Sequence, residues 1–178
     1  MKIVLIEPLS VKAEVIEALS EKWVKAGHIF SAYDTRAQSV VELHQRAEDA
    51  DIIIEGNQPL DAEALRGFKK CQYLSVGFSG IDHVDRATAE QMGIMVSNSA
   101  GYADDSVAEL ALGMMLGLLR NIALADQACK AGKTKDGLVG HELLGKTVGI
   151  VGMGACGCRM AEILQVFRCR VLFYAPRI

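Results

Sequence analysis

Several features that mark special classes of protein are missing from this sequence. Lys and Arg do not outnumber Asp and Glu (19 against 22), and the net charge of -3 gives no basic surface of the kind typical of nucleic-acid binding. The longest apolar run, Leu110–Leu119, is much shorter than the ~20 residues of a membrane span. The apolar run that follows Met1 ends at Glu7-Pro8, too early for the core of a signal peptide. We therefore expect a cytoplasmic protein with neither nucleic acid nor membrane as a partner.

Cysteine pairs at disulfide or metal-binding spacing are missing as well. The cysteines are odd in number and irregularly spaced, which fits a reducing compartment: Cys71, Cys129, Cys156, Cys158 and Cys169. Cys156 and Cys158 lie close together in sequence, but two thiols supply only half of a tetrahedral zinc site. We predict no metal site.

The first part of the chain alternates between strand and helix patterns. Continuous apolar runs predict buried strands, and helical spacing of apolar residues predicts the helices between them. The predicted strands are Ile3–Ile6, His28–Tyr33, Asp51–Glu55, Tyr73–Val76 and Ile94–Ser97. The predicted helices are Val11–Ala26, Val40–Ala47, Ala62–Phe68 and Arg86–Met92. This rhythm with short loops predicts an α/β fold with a parallel sheet covered by helices.

A long helix is predicted after the turn cluster at residues 98–101. Ser106 and Glu109 have the spacing of a capping box, so we expect the helix to begin at Ser106 and to run to about Lys130. Because it is apolar nearly all round, we expect it to be buried. Gly113 and Gly117 are about one turn apart and permit close approach of backbones, either within one subunit or in a dimer contact.

The most informative motif is a glycine-rich turn between the predicted strand Thr147–Val151 and a helix from about Ala155 to Phe167. Glycines here permit a tight turn, close approach of backbone to phosphate, and packing of helix on strand. The first helical N–H groups attract the pyrophosphate of a dinucleotide. The residues of this candidate site are Gly152, Met153, Gly154, Ala155, Cys156 and Gly157. The alternative is a turn that only closes the fold.

The choice between NAD and NADP depends on the end of the next predicted strand, Val171–Ala175. An acidic residue at this point binds the ribose hydroxyls of NAD, but here Ala175 stands in its place. Alanine removes the repulsion against a 2′-phosphate, and Arg177 could pair with one. This favours NADP slightly; alternatively, Arg177 is only a solvated residue.

Three stretches together resemble the D-isomer-specific 2-hydroxyacid dehydrogenases: Leu74–Asp85, Gly93–Arg120 and Glu142–Gly157. The resemblance implies a flavodoxin-like substrate domain over residues 1–100. It also implies the first part of a Rossmann-type coenzyme domain over residues 101–178, so the chain is expected to be a truncated member of the family. The exposed edge of the last predicted strand, Val171–Ala175, favours a homo-oligomer, expected to be a dimer.

The resemblance also implies an activity and a set of binding residues. Family members transfer a hydride between a nicotinamide cofactor, NAD or NADP, and a 2-hydroxy or 2-keto acid. By this likeness the backbone N–H groups of Ser79 and Gly80 hold the substrate carboxylate, a role that suits paired donors in a tight loop. Asn57 is expected to face the substrate, and Ser106 to lie near the nicotinamide.

No catalytic residue is assigned. The family's arginine, acid and histidine come from the second half of the coenzyme domain, which this sequence does not reach. His83 is predicted to be a structural hydrogen-bonding residue. By the same likeness, Arg168 stands at a helix end where family members usually carry glycine. A left-handed residue at such a position costs a non-glycine side chain roughly 1 kcal/mol. We expect the 178 residues alone to be inactive; the alternative is a non-catalytic relative that binds a nucleotide or assists assembly.

Overall fold

Seven helices and seven strands follow one another along residues 1–175, the part of the chain that the structure, a computed structural model, describes. They form two units, one of residues Met1–Ala100 and a second that begins at Gly101.

The first unit is built on a parallel sheet of five strands. The strands are β1 (Lys2–Leu5), β2 (Ile29–Ala32), β3 (Ile52–Glu55), β4 (Tyr73–Val76) and β5 (Met95–Asn98). Their order is β2-β1-β3-β4-β5, with Ile3 of β1 opposite Phe30 on one side and Ile52 on the other. This is the doubly wound order of flavodoxin-like folds, so the predicted fold class is confirmed.

Four helices connect these strands: α1 (Ala13–Lys25), α2 (Val40–Ala47), α3 (Ala62–Arg66) and α4 (Arg86–Gln91). Three of them begin at a side-chain cap. The carboxylate of Asp85 accepts the N–H of Thr88 at 3.1 Å, and Ser39 and Asp61 cap α2 and α3 in the same way. Because each cap replaces a lost backbone partner, the loops that leave the sheet have defined ends.

The core of the first unit lies between one face of the sheet and helices α2 to α4. Its members are apolar and almost fully buried, among them Val4, Ile6, Ile53, Leu65, Phe68 and Leu74. Helix α1 packs less closely, and Ser20 is its one buried residue. Val11, before α1, and Val15 and Leu19 of α1 are exposed, whereas Trp23 lies beside Phe30 of β2, with ring centroids 5.7 Å apart.

The second unit contains α5 (Asp104–Leu119), α6 (Ile122–Lys130), β6 (Thr147–Val151), α7 (Ala155–Val166) and β7 (Arg170–Tyr174). Strands β6 and β7 pair in parallel, and α7 connects them, which is the first βαβ unit of a Rossmann-type fold. The core of this unit consists of Ala108, Leu143, Met160 and Leu164 with partly buried neighbours. The prediction of a Rossmann-type start is therefore confirmed.

The predicted capping box at Ser106 and Glu109 is wrong. Helix α5 begins two residues earlier, at Asp104, and its N-cap residue Ala103 has no capping side chain. Ser106 is already inside the first turn, where its hydroxyl donates a hydrogen bond to the carbonyl oxygen of Ala103 at 3.0 Å. The acidic side chains of Asp104 and Asp105 favour this start, because they lie at the positive end of the helix dipole.

The predicted continuous helix to Lys130 is also wrong. Asn121 adopts a left-handed conformation with φ 53°, and this ends α5 and starts α6 at an angle of 59° to it. Within residues 1–175 no single helix is long and apolar enough to cross a membrane, and only this bent pair has the combined length and composition.

The expectation that the long helix is buried is not met within residues 1–175. Only Ala108 of α5 is buried, whereas Leu110, Met114 and Leu118 are exposed. An added Cβ at Gly113 or Gly117 would meet no atom within 4 Å, so these glycines do not serve packing inside the described chain. A contact with another subunit stays a prediction.

Candidate functional site

Polar loops follow the strands at the carboxyl edge of the first sheet. Glu7 comes just after β1, residues 56–58 follow β3, and residues 77–80 follow β4. Since all five strands are parallel, these loops meet at one edge, which is where ligands bind in open α/β sheets.

Glu7 holds the loop after β3. Its Oε1 accepts hydrogen bonds from the backbone N–H groups of Gly56 (2.8 Å), Asn57 (2.7 Å) and Gln58 (2.6 Å), and its Oε2 accepts one from Nε of Arg36 (2.6 Å). Burial alone would raise the pKa of Glu7, but these hydrogen bonds outweigh it and hold the pKa below its usual value. Glu7 is therefore an anion at neutral pH, and its charge fixes the backbone of the loop.

Asn57 is placed by this loop. Its backbone N–H is bound by Glu7, while the residue itself is exposed at the carboxyl edge. Gly56 beside it is buried, and a Cβ there would lie 3.2 Å from Oε1 of Glu7, so the approach of the carboxylate favours glycine.

Glu55 is the last residue of β3 and is completely buried. Burial raises the pKa of its carboxyl to about 9, and the nearby charge of Glu7 adds to the shift. Its Oε1 lies 2.8 Å from Nε2 of His83, in the loop after β4. His83 is thus a structural hydrogen-bonding residue, as the sequence predicted, and it links the loops after β3 and β4.

Ser79 and Gly80 are exposed in the loop after β4. This loop is tied to β5, because the amide of Asn98 donates to the carbonyl oxygen of Ser79 at 2.6 Å and the N–H of Ser99 donates to Phe78 at 3.0 Å. Within the described part of the chain, neither the N–H of Ser79 nor that of Gly80 donates to a protein acceptor. The two groups remain available to an anion.

The glycine-rich turn of the second unit has the backbone geometry that the sequence predicted. Gly152 has φ 97°, a left-handed conformation that glycine adopts without strain. A Cβ at Gly157 would lie 2.2 Å from the carbonyl oxygen of Gly152, so only glycine fits at this crossing of helix and turn. A Cβ at Gly154 would meet nothing within 4 Å, which leaves open space in front of the turn. These observations fit a bound pyrophosphate, since the backbone is accessible where a phosphate would approach.

The N-terminus of α7 supplies free donors to this space. Gly154 is the N-cap residue and carries no capping side chain, so the first N–H groups of α7, at Ala155, Cys156 and Gly157, lack helical partners. The thiol of Cys156 lies 3.3 Å from Oδ1 of Asp104 in α5. This hydrogen bond, more than burial, raises the pKa of the Cys156 thiol, which disfavours its thiolate form.

The remaining sequence-predicted positions have separate environments. Ala175 directly follows β7, at the place where the acidic residue was expected. Arg177 lies outside the described residues. Ser106 is exposed in the first turn of α5, and Met153 lies in the turn before α7. The structure thus brings Gly152 to Gly157 together, and separately assembles Asn57, Ser79 and Gly80 at the carboxyl edge of the first sheet.

Sequence reasoning missed the buried carboxylates at this edge. Glu7 directly follows one predicted apolar strand, and Glu55 is the last residue of another. Carboxylates at the same end of two parallel buried strands could have been predicted to lie close together. The ion pair of Arg36 with Glu7 could not be predicted from the sequence, because Arg36 lies in a loop whose path depends on the tertiary fold.

One protein family matches most of this chain. The family model of the D-isomer specific 2-hydroxyacid dehydrogenase catalytic domain matches residues 3–171. A hydroxypyruvate reductase of Thermotoga maritima is 34% identical over 137 residues, which cover 76% of this chain and 45% of that protein.

Two solved structures are similar to this chain over nearly its whole length. The NAD-dependent formate dehydrogenase of Staphylococcus aureus in complex with NAD is similar with a TM-score of 0.86 and 28% identity, covering 99% of this chain and 56% of that one. An acyclic imino acid reductase in complex with NADPH and D-Arg is similar with a TM-score of 0.86 and 26% identity, covering 100% and 58%. The chain therefore spans about half the length of the relatives that it matches.

Proposed function

The chain belongs to the D-isomer specific 2-hydroxyacid dehydrogenase family, and on this premise we propose that it serves an NAD- or NADP-dependent oxidoreductase reaction. The bound nicotinamide would exchange a hydride with C2 of a 2-hydroxy or 2-keto acid. The observation that carries the proposal is the glycine-rich turn. It has open space in front of Gly154, and the backbone at Gly157 passes so close to Gly152 that only glycine fits there.

In the proposed complex the pyrophosphate lies against the residues from Gly152 to Gly157. The N–H groups of Ala155, Cys156 and Gly157 face a phosphate anion at the positive end of α7. Ser106 is proposed to lie near the nicotinamide. Ala175, with Arg177, is proposed to border the adenosine ribose, and the missing carboxylate favours NADP slightly over NAD.

The substrate anion is proposed to bind at the carboxyl edge of the first unit. The free N–H groups of Ser79 and Gly80 would hold its carboxylate, and Asn57 would lie beside it. In this arrangement residues 1–100 form the substrate domain, and the residues from Gly101 onward belong to the coenzyme domain.

None of the described histidines is proposed to move the substrate proton. His83 is engaged by the buried Glu55, and His44 by the carbonyl oxygens of Glu63 and Ala64. We propose that residues 1–178 bind cofactor without turning it over by themselves. A non-catalytic nucleotide-binding or assembly module remains the second candidate function, supported by Ala175 in place of the acidic residue.

A homo-oligomer, in the simplest case a dimer, is also proposed. Exposed apolar side chains on α5 and α6 support it: Leu110, Met114, Leu118, Ile122 and Leu124. Exposed apolar patches of this kind are typical of surfaces that bind another protein.

The test is a titration of the 178-residue protein with NADH and NADPH, followed by the fluorescence of the reduced nicotinamide. We expect saturable binding of both, tighter for NADPH, and no oxidation when glyoxylate, pyruvate or hydroxypyruvate is added. Failure of both dinucleotides to bind would contradict the pyrophosphate site. Turnover by these residues alone would contradict the proposal that they are inactive.

A further inference from the structure

Three buried or nearly buried side chains join the two loops that are proposed to bind the substrate. Glu7 holds residues 56–58 through three backbone N–H groups, and His83 belongs to the loop that contains Ser79 and Gly80. Glu55 lies between them, with Oε1 at 2.8 Å from Nε2 of His83. None of these three side chains takes part in the proposed reaction. Each of them nevertheless contacts or belongs to a loop that is proposed to bind the substrate.

The hydrogen-bond pattern favours a proton on Glu55. The two oxygens of Glu7 already accept four N–H groups, as suits a carboxylate. Oε2 of Glu55 is buried and has no hydrogen-bond partner among the described residues. Two neighbouring buried carboxyls cannot both be charged without strong repulsion. A proton on Oε2 would give this atom a hydrogen to donate to the neighbouring carboxylate of Glu7, while Oε1 accepts the hydrogen of His83 Nε2.

The other charged groups around this cluster do not replace the proton. Arg36, before α2, pairs with Glu7 at 2.6 Å, and no Lys or Arg among residues 1–175 forms an ion pair with Glu55. Arg46 of α2 directs its guanidinium to the carbonyl oxygens of Ile6 and Thr35 and to Glu42. From the loop after β4, His83 contacts Glu55 at 2.8 Å.

We propose that Glu55 is a positioning residue, and that the proton it shares with Glu7 ties the loop at residues 56–58 to the loop at residues 79–83. This inference rests on the proposed function, because it makes binding of a substrate carboxylate depend on that proton. Loss of the proton places two negative charges side by side, and we expect the two loops to move apart.

The pH dependence has a definite sign. Burial raises the pKa of Glu55 to about 9, so the proton is present at neutral pH and is lost above that value. If only the protonated form holds both loops in place, the dissociation constant of a substrate carboxylate rises about tenfold per pH unit above the pKa.

The first experiment needs no ligand. Backbone amide signals of the 178-residue protein are followed by NMR as the pH is raised, together with the side-chain carboxyl carbon of Glu55. We expect amides of Gly56–Gln58 and of Ser79–His83 to change together, with one midpoint that matches the Glu55 carboxyl. Independent changes in the two loops, or a Glu55 carboxyl that titrates near its usual pKa, would overturn the proposal.

The variant Glu55→Gln separates the proton from the shape of the side chain. Its amide NH₂ can donate to Glu7 and its oxygen can accept from His83, without any titration. We expect the common midpoint in the two loops to disappear in this variant. The matched control is Glu90→Gln on the exposed side of α4, which should keep the wild-type titration. Should Glu55→Gln fail to fold, the carboxyl titration of the wild type still decides.

The second experiment adds glycolate as a probe of the carboxylate site. We expect its dissociation constant, measured from the Ser79 and Gly80 amides, to rise with pH in the wild type and to be constant in Glu55→Gln. A constant affinity in both proteins, with the loops titrating, would overturn the link to binding. Absence of glycolate binding at every pH would instead contradict the proposed substrate site, while the ligand-free titration would still test the cluster.

Discussion

At the scale of single residues, Gly154 and Gly157 serve different purposes although they share one motif. We expect Gly157→Ala to reduce the free energy of unfolding by about 1–3 kcal/mol, because its Cβ would lie 2.2 Å from a backbone oxygen. Gly154→Val has open space and should change stability much less, yet its side chain would block the approach of the pyrophosphate. Urea denaturation and NADPH titration of both variants measure these effects.

The contrast between these two variants is the informative result. Equal loss of stability in both would show that Gly154 is also needed for the fold. Unchanged NADPH affinity in a folded Gly154→Val protein would contradict the pyrophosphate site itself.

The buried pair of carboxyls predicts how stability depends on pH. Because the pKa of Glu55 is raised, its contribution to the free energy of unfolding is complete below its usual pKa of 4.5. This contribution is lost as the pH rises to about 9. The lowered pKa of Glu7 has the opposite sign, so its contribution is present above 4.5 and is lost as the pH falls below it. We expect Tm of Glu55→Gln minus Tm of the wild type to increase steadily from about pH 5 to about pH 9. A difference independent of pH would contradict a protonated Glu55.

At the scale of elements, Arg168 determines how α7 ends. It adopts φ 52°, as the sequence predicted for this helix end, and its side chain is exposed. We expect Arg168→Gly to increase the free energy of unfolding by about 1 kcal/mol, because glycine adopts this conformation without strain. The converse control is Gly93→Ala, at φ 71° after α4. This variant should have a free energy of unfolding that is lower by a similar amount. Chemical denaturation of both proteins gives the comparison, and a stability loss in Arg168→Gly would mean that the arginine makes a contact of its own.

At the scale of the whole molecule, the exposed apolar residues on α5 and α6 predict association. Leu118 is the most exposed of them, at 80%. We expect light scattering to show an oligomer, and Leu118→Lys to shift it towards the monomer, because a charge at the centre of an apolar contact must be desolvated. The matched control is Val41→Lys on α2, which is 67% exposed and lies outside α5, α6 and β7. A monodisperse wild-type monomer would contradict the predicted association.

Sequence reasoning worked best where one local pattern determines the structure. The five strands of the first unit, the glycine-rich turn and the helix end at Arg168 lie where their patterns predicted them. It failed where one stretch of sequence was compatible with more than one local pattern. Ser106 fitted a capping box, but the acidic pair Asp104 and Asp105 started the helix earlier, and Asn121 divided a stretch whose apolar character alone favoured one helix.

The sequence by itself determined the order of strands and helices, because hydrophobic periodicity and glycine positions act over a few neighbouring residues. It also determined the family, through three motifs spread along the chain. Only the tertiary structure decided that Glu7, Arg36, Glu55 and His83 meet at one edge of the sheet. These residues are far apart in sequence, and it is the parallel pairing of β1, β3 and β4 that brings the carboxyl ends of these strands together. The same pairing buries Glu7 and Glu55, and burial raises the pKa of Glu55.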